Sequence, residues 1–562
     1  MGQDYSKLRK SAIDPSAEII VVGAGTCGCL LTHELVSRFG IRVTLVEPPT
    51  APAPAIDRRR PARWLRLLGS GENYGWAADG GAAMAARHMA WPRGRGIGGS
   101  SRINAMIWLP PTASDLHMLS RAGGPGWDVA AWQGAVAAVE RLVRPERPRW
   151  LSEASRRFLA AASTHPQATT TPAPFRRFNR HGRRWHAGDL LRGLPPEKLR
   201  VIRGQVDRLT WDKETVTGVR LRSDHGQACV HAPAGVVLAA GTIGTPTLLM
   251  RSGVGQPDLL GEAGIATRVE SAGVGQGLQD HLVMPLIFAI PDRNRFANES
   301  NPRDLVRWET LGTGPLASNL AEAGGFFCDE RFQIFATPTH YLQHPRDDAP
   351  AAMTLAVSVT RPRSRGMVGL RSADPRDAPR ISAGYAAERE DLEAMAAGVK
   401  IARHIATLPP LSGWLGEERI PGARRDSAAE LARTIGRYAQ SLYHPIGTCA
   451  MGAVDACTGG GDRRGDGPAP SHQTQTPPHQ TQTQTPSHQT QTPSHQTPPH
   501  RYPPVVGTDL RVRGTDRLWV VDASVLPQVT AGNPSVTLLA LARLAAGRIH
   551  AQLSLVPNRL SK

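Results

Sequence analysis

Residues 18–47 read EIIVVGAGTCGCLLTHELVSRFGIRVTLVE, and this stretch decides the fold. Residues 18–22 form a short apolar run of the kind that fills a buried parallel strand. From 29 to 38 the apolar side chains recur at helical spacing, and residues 42–46 (RVTLV) read as a second strand ending at Glu47. Between the first strand and the helix, Gly23, Gly25 and Gly28 spell GxGxxG. The first glycine permits a tight turn, the second lets a pyrophosphate approach the backbone, and the third lets helix and strand pack closely. The helix N-terminus then offers free amides to an anion. Glu47 follows Gly28 by 19 residues (47 − 28), the interval at which an acidic side chain meets the ribose hydroxyls of an adenosine. Together these features predict a βαβ dinucleotide site, without choosing between NAD and FAD.

Working outward, residues 235–239 (GVVLA) and 518–521 (LWVV) are further strand candidates, and residues 535–550 read as an amphipathic helix. The dinucleotide-binding material is thus spread in pieces hundreds of residues apart. From about 290 to 435 strand and helix signals mix, including a helical pattern over 389–405, which predicts a second domain inserted in the first. Residues 459–504 are dominated by Gly, Pro, His, Gln and Thr and carry the repeat SHQTQTP at 471–477 and again at 487–493. Such a tract cannot bury a core and is expected to loop outward as low-complexity chain. Its histidines His472, His479, His488, His495 and His500 have no fixed geometry, so no metal site is expected.

Composition narrows the class. At 562 residues, 40% hydrophobic and 20% charged, the chain is long enough for two or three domains and is not broadly disordered. No apolar stretch approaches the roughly 20 residues of a membrane helix. The charge of +18 comes from 66 basic against 48 acidic residues, almost all the excess being arginine. Arg58, Arg59, Arg60, Arg63 and Arg66 form one cluster, and residues 175–186 (FRRFNRHGRRWH) form another, with aromatics interleaved. Neither is accompanied by zinc-ligand spacing, a heptad-backed basic region or an RNP string, so no nucleic-acid partner is expected. Cys27, Cys29, Cys229, Cys328, Cys449 and Cys457 contain no CxxC pair. Reduced thiols and the lack of a secretory apolar core near the start predict a cytoplasmic protein. Met1, Gly2 and Ser6 match the myristoylation pattern formally but read as an ordinary polar lead.

Further motifs bear on the chemistry. Residues 91–106 (WPRGRGIGGSSRINAM) place glycines and small hydroxyl side chains where a backbone could lie flat against a bulky planar ligand. Residues 443–452 read YHPIGTCAMG, a strand ends at Asp522, and residues 531–536 read AGNPSV. His444 in an extended stretch before a proline has the near-neutral pKa suited to a general base. Asn533 and Pro534 have the residue types that start a helix. Cys449 lacks an adjacent base and reads as packing.

With residues 241–254 (GTIGTPTLLMRSGV) and 273–281 (GVGQGLQDH) added, nearly the whole chain resembles the glucose-methanol-choline (GMC) oxidoreductases, in their choline dehydrogenase-like form. The resemblance implies an α/β fold with a Rossmann-like FAD domain built from residues 15–135, 195–290 and 436–553. It further implies an α+β substrate domain with an antiparallel sheet from residues 136–194 and 291–435. Gly23, Gly25, Gly28 and Glu47 would hold the ADP part, and Val206 would touch adenine. Arg95, Gly98, Gly99, Ser100, Asn104 and Ala105 would line the flavin, and Asp522 and Ala523 would lie near the ribityl and pyrophosphate. Ile103 stands where some members carry a flavin-linking histidine, so noncovalent FAD is expected. His444 would take the proton of a small alcohol, Asn533 would hydrogen-bond its oxygen, and Asn533 with Pro534 would aim a helix N-terminus at the flavin. The electron acceptor is left open among oxygen, a quinone and a protein. Two rivals are a lyase of the same fold that cleaves cyanohydrins and a nonenzymatic basic binding protein. Residues 110–112 (PPT) replace the usual RG ending after the flavin loop, which leaves the local pocket shape open.

Overall fold

The computed structural model describes residues 19–223, 226–292, 296, 301–346, 348–453 and 502–554. The polar lead, Cys457, all five tract histidines and all but the last three residues of 459–504 lie outside the described residues.

Five strands, β1 (Ile19–Val22), β2 (Val43–Glu47), β3 (Leu199–Arg203), β4 (Val236–Leu238) and β5 (Leu518–Val520), form one sheet in the order β3-β2-β1-β4-β5. Every pairing is parallel, with Ile20 of β1 opposite Thr44 on one side and Val236 on the other. β1 and β4 are buried at every residue, as a sheet covered on both faces requires. Helix α1 (Thr26–Phe39) ends at Gly40 in the left-handed conformation (φ 66°). It covers one face together with α3 (Ser535–Ser554), the last described helix; α2 (Gly241–Arg251) follows β4. β1 is followed in sequence by β2 on one side and paired with β4 on the other. The strand order therefore reverses at β1, and a crevice opens beyond its C-terminal end, where Gly23 begins the GxGxxG turn.

The second sheet has seven strands and is antiparallel throughout. Its centre runs Leu282–Ala289, Ala352–Val359, Phe332–Thr337, Ala323–Phe327. Strand Leu282–Ala289 belongs here although it lies within the 195–290 segment, so one continuous stretch leaves the nucleotide domain and enters the other sheet. Pleat alternation splits the side chains. Phe332, Ile334 and Ala336 join Val357, Val399 and Ile405 in the core beneath the long helix Arg389–Thr407. Gln333, Phe335 and Thr337 face the opposite way, toward a cavity.

The arginine-aromatic segment 175–186 is mostly folded inward, with Arg180 the one exposed arginine of its five. Phe175, Phe178 and Trp185 are buried, and so are Arg177 and Arg184. Arg177 Nη1 donates to the Ala317 carbonyl at 2.8 Å and Arg184 Nη1 to the Asn104 carbonyl at 2.8 Å. Arg60 and Arg183 each lie 5.2 Å from the buried Trp308 ring, which spends their charge on cation-π contact. No helix among the described residues is long and apolar enough to cross a membrane.

Candidate active site

A cavity of about 1160 Å³ runs between the two sheets, beyond the roughly 300–1,000 Å³ of an ordinary ligand pocket. Gly23, Gly25, Glu47, Arg95, Gly99, Ser100, Asn104, Ala105, Val206, Asp522, Ala523, Asn533, Pro534 and His444 all line it. Gly28 and Gly98 do not. They shape its wall from behind: a Cβ on Gly28 would lie 1.9 Å from the Gly23 carbonyl oxygen, and the Gly98 amide donates to the Ala24 carbonyl at 2.7 Å.

At the nucleotide end the wall is backbone. The buried Glu47 carboxylate accepts the Ala24 amide at 2.6 Å and the Gly96 amide at 2.8 Å, clamping the GxGxxG turn to the 91–106 loop. Burial pushes its pKa up, while those two amides and the Arg95 and Arg102 charges pull it down. A Cβ on Gly99 would meet the Gly25 Cα at 2.6 Å, so the two glycine loops approach as closely as their lack of side chains permits. Asp522, at the end of β5, accepts the Gly241 amide at 2.9 Å, the Thr245 hydroxyl at 2.6 Å and the Ser524 amide at 2.8 Å. The tips of β1, β4 and β5 are thereby tied around one opening. The buried Arg95 Nε has no hydrogen-bond partner among the described residues, a donor left over on the cavity wall. A long cavity with bare backbone, the two end carboxylates and this spare cationic donor fits a dinucleotide cofactor.

At the other end, His444 is 9% exposed and sits in a chain of hydrogen bonds whose polarity can be worked out. His281 Nε2 lies 2.8 Å from the Thr360 carbonyl, which can only accept, so this nitrogen carries the hydrogen. The neutral His281 ring then has a bare Nδ1, 2.9 Å from His444 Nδ1, which must donate to it. His444 is left with its lone pair on Nε2, where the Asn533 amide donates at 2.9 Å. The Thr360–His281 relay therefore selects the tautomer of His444 whose lone pair is on Nε2, beside Asn533 on the cavity wall. Burial, the His281 ring and the nearby Arg93 charge hold the His444 pKa well below the usual histidine value. The His444 amide donates to Asp280 Oδ1 at 2.7 Å, and Asp280 also accepts from the Ser441 and Tyr385 hydroxyls. Arg93 donates to the Tyr443 carbonyl at 2.6 Å.

Asn533 spends its carboxamide on His444. Its loop is anchored from the 110–112 region that departs from the usual ending. Thr112 caps helix Ala113–Gly123 in a reciprocal box with Asp115. The buried Asp115 accepts the Ala531 amide at 2.9 Å and Arg361 Nη2 at 2.8 Å. The Cys449 thiol is buried and its pKa is pushed well up, which suits packing and not nucleophilic attack. Thr360, Asp280, Arg93 and the cavity residue Gln333 were not assigned from sequence. His281 was within reach, as the last residue of the GVGQGLQDH string, but a histidine carries no mark of which side chain it faces.

This fold and cavity define a dinucleotide-cofactor protein with a buried imidazole at the far end. GMC oxidoreductase profiles match residues 17–283 with the N-terminal domain, and residues 362–459 and 462–542 with the C-terminal domain. The chain belongs to the GMC oxidoreductase family, whose enzymes are FAD-dependent. It is 29% identical to the alcohol dehydrogenase [acceptor] of Pseudomonas putida, over 94% of this chain and 95% of that one. It is 28% identical to the mitochondrial choline dehydrogenase of Homo sapiens, over 95% and 89%. The crystal structure of pyridoxine 4-oxidase from Mesorbium loti superposes with a TM-score of 0.76 at 25% identity, covering 95% of this chain and 99% of that one. A formate oxidase variant from Aspergillus oryzae shares the fold at a TM-score of 0.81 and 20% identity, over 96% and 99%.

Proposed function

We propose that this protein oxidises a primary or secondary alcohol to the aldehyde or ketone, with His444 as the base that takes the hydroxyl proton. The observation that carries the reading is that the Thr360–His281 relay leaves the lone pair of His444 on Nε2, on the cavity wall, where it accepts the Asn533 amide until a substrate hydroxyl takes that place. A neutral imidazole in a desolvated pocket is ready to accept a proton, and its lowered pKa keeps it unprotonated through mildly acidic pH. Asn533 would orient the substrate oxygen toward Nε2. On the nucleotide side, Gly23, Gly25 and Glu47 would hold the ADP part, with Gly28 and Gly98 packing behind the loops. Val206 would meet the adenine, Arg95, Gly99, Ser100, Asn104 and Ala105 would line the flavin, and Asp522 and Ala523 would lie beside the ribityl chain. FAD held by these residues would supply a hydride acceptor, with the electron acceptor left among oxygen, a quinone and a protein. Ile103 lines this part of the cavity with a hydrocarbon side chain, which supports noncovalent attachment. The domain division at 15–135, 195–290 and 436–553 against 136–194 and 291–435 is part of the same reading. Free thiols at all five described cysteines support a cytoplasmic setting.

The test is anaerobic mixing of the purified yellow protein with a panel of alcohols. Bleaching of the flavin band, reversed by air or an artificial acceptor, is the expected result. No bleaching across a broad panel, with turnover of a cyanohydrin, would replace this reading with the lyase.

A further inference from the structure

Gln333 lies in strand Phe332–Thr337 and is 3% exposed, yet its carboxamide makes no hydrogen bond to any other described residue while it lines the cavity. The residue is packed on every side but this one, so its amide donors and acceptor are held toward the cavity, where a ligand can reach them. Sheet register locates it relative to the base. Gln333 pairs with Ser358, and Ser358 pairs with Val283. His281 and Thr360, the relay behind His444, are two residues further along those two neighbouring strands and have the same pleat parity as Val283 and Ser358. Two residues of strand are about 7 Å and two inter-strand steps about 10 Å, so Gln333 stands on the same face diagonally from the relay, roughly 12 Å from His281. Beyond it on its own strand follow Phe335 and Thr337, with Phe175 and Ile107 packed beside Phe335.

The charges around this face are one-sided. Among the described residues lining the cavity, the acidic side chains are Glu47, Asp377 and Asp522. Glu47 and Asp522 end strands of the parallel sheet, and Asp377 sits in a loop where it accepts the Ser372 hydroxyl. None belongs to the sheet face beside His444. Arg93 does stand there, close enough for its charge to bear on the imidazole, and it disfavours a second cation.

We infer that Gln333 is a specificity-determining residue that hydrogen-bonds a second, neutral oxygen function of the substrate, so that the preferred alcohol is uncharged and bifunctional. This rests on the proposed alcohol oxidation and names its substrate class. A quaternary ammonium alcohol would find neither a carboxylate nor a satisfied amide.

The experiment uses the full chain with its flavin and follows anaerobic flavin reduction by 1-butanol, 1,4-butanediol, 4-hydroxybutyrate and choline. The diol is expected to exceed 1-butanol by about tenfold in kcat/KM, the scale of one hydrogen bond, chiefly through KM, and to exceed choline and 4-hydroxybutyrate as well. Gln333→Leu should bring the diol-to-butanol ratio close to one. The near-isosteric Gln333→Glu keeps the test alive should the leucine variant lose its flavin; it should raise the choline-to-diol ratio at least about tenfold. Choline or 4-hydroxybutyrate preferred by the unaltered protein, or a diol-to-butanol ratio unmoved in both variants, would overturn the inference and leave the alcohol reaction standing. No reduction by any of the four, nor by the broader panel, would overturn the underlying reaction instead.

Discussion

At the parallel sheet the cavity wall is main chain, and at the antiparallel sheet it is side chains. Around β1 the groups facing the opening are glycines held by two carboxylates, Glu47 and Asp522, each satisfied by backbone amides or short hydroxyls. Around Leu282–Ala289 they are His444, Asn533 and Gln333, with the His281–Thr360 relay behind them, drawn from five separated stretches of chain. A phosphate-bearing cofactor needs the same amides in any member of a family, and these can be supplied by short contiguous motifs. A reacting alcohol needs a base of fixed tautomer and a pocket of suitable polarity, and these come from residues that meet only after folding.

The largest expected effect tests the substrate half alone. His444→Ala should retain its flavin, read as an unchanged absorbance ratio, and lose at least about a hundredfold in the anaerobic reduction rate. Reduction at the original rate would remove His444 from its assigned role. The converse variant in the nucleotide half is Gly28→Ala. Its new Cβ would lie 1.9 Å from the Gly23 carbonyl oxygen, so backbone must move, at a cost of about 1–3 kcal/mol. It should lower flavin content and melting temperature together, and a fully loaded variant melting like the parent would break the contrast between the halves.

A smaller effect separates the relay from the base. His281→Leu leaves His444 Nδ1–H without its acceptor, so the ring can turn over its tautomer. We expect at least about a tenfold slower reduction, from a hydrogen bond worth about 1–3 kcal/mol when left unmade in the interior. The pH profile should shift as well, a change that mere loosening would not produce. Smallest is the pH response of the unaltered protein. Both rings have folded-state pKa values below the ordinary 6.5, His444 furthest, chiefly through burial. The base form should therefore persist as pH falls past 6.5, and the reduction rate should stay level there before declining lower. Stability behaves differently: below pH 6.5 the unfolded chain takes up protons that the folded one refuses, so these two rings lower stability as pH falls toward their folded values. Melting temperature should drop over that window while the reduction rate at moderate temperature holds.

Much of the nucleotide half could be read in advance because its signals are local. The GxGxxG turn, the strand before it and the acid after it occupy 30 consecutive residues (18–47), and steric limits on glycine make that pattern informative. His444 and Asn533 emerged through resemblance, as did the antiparallel sheet. The arginine-aromatic segment shows the limit of composition, since FRRFNRHGRRWH reads the same whether its charges face water or, as here, are folded into carbonyls and the Trp308 ring.

What the amino-acid order decided was the class of fold and its cofactor half, because strand, turn and helix preferences act between neighbours. Only the tertiary structure decided which nitrogen of His444 carries the lone pair, that His281 stands behind it, and that Gln333 faces the same space without a partner among the described residues. Hydrogen-bond polarity and burial are properties of groups brought together from far along the chain, 163 positions apart for His281 and His444 and 416 for Asp115 and Ala531, and no local preference encodes which of them will meet.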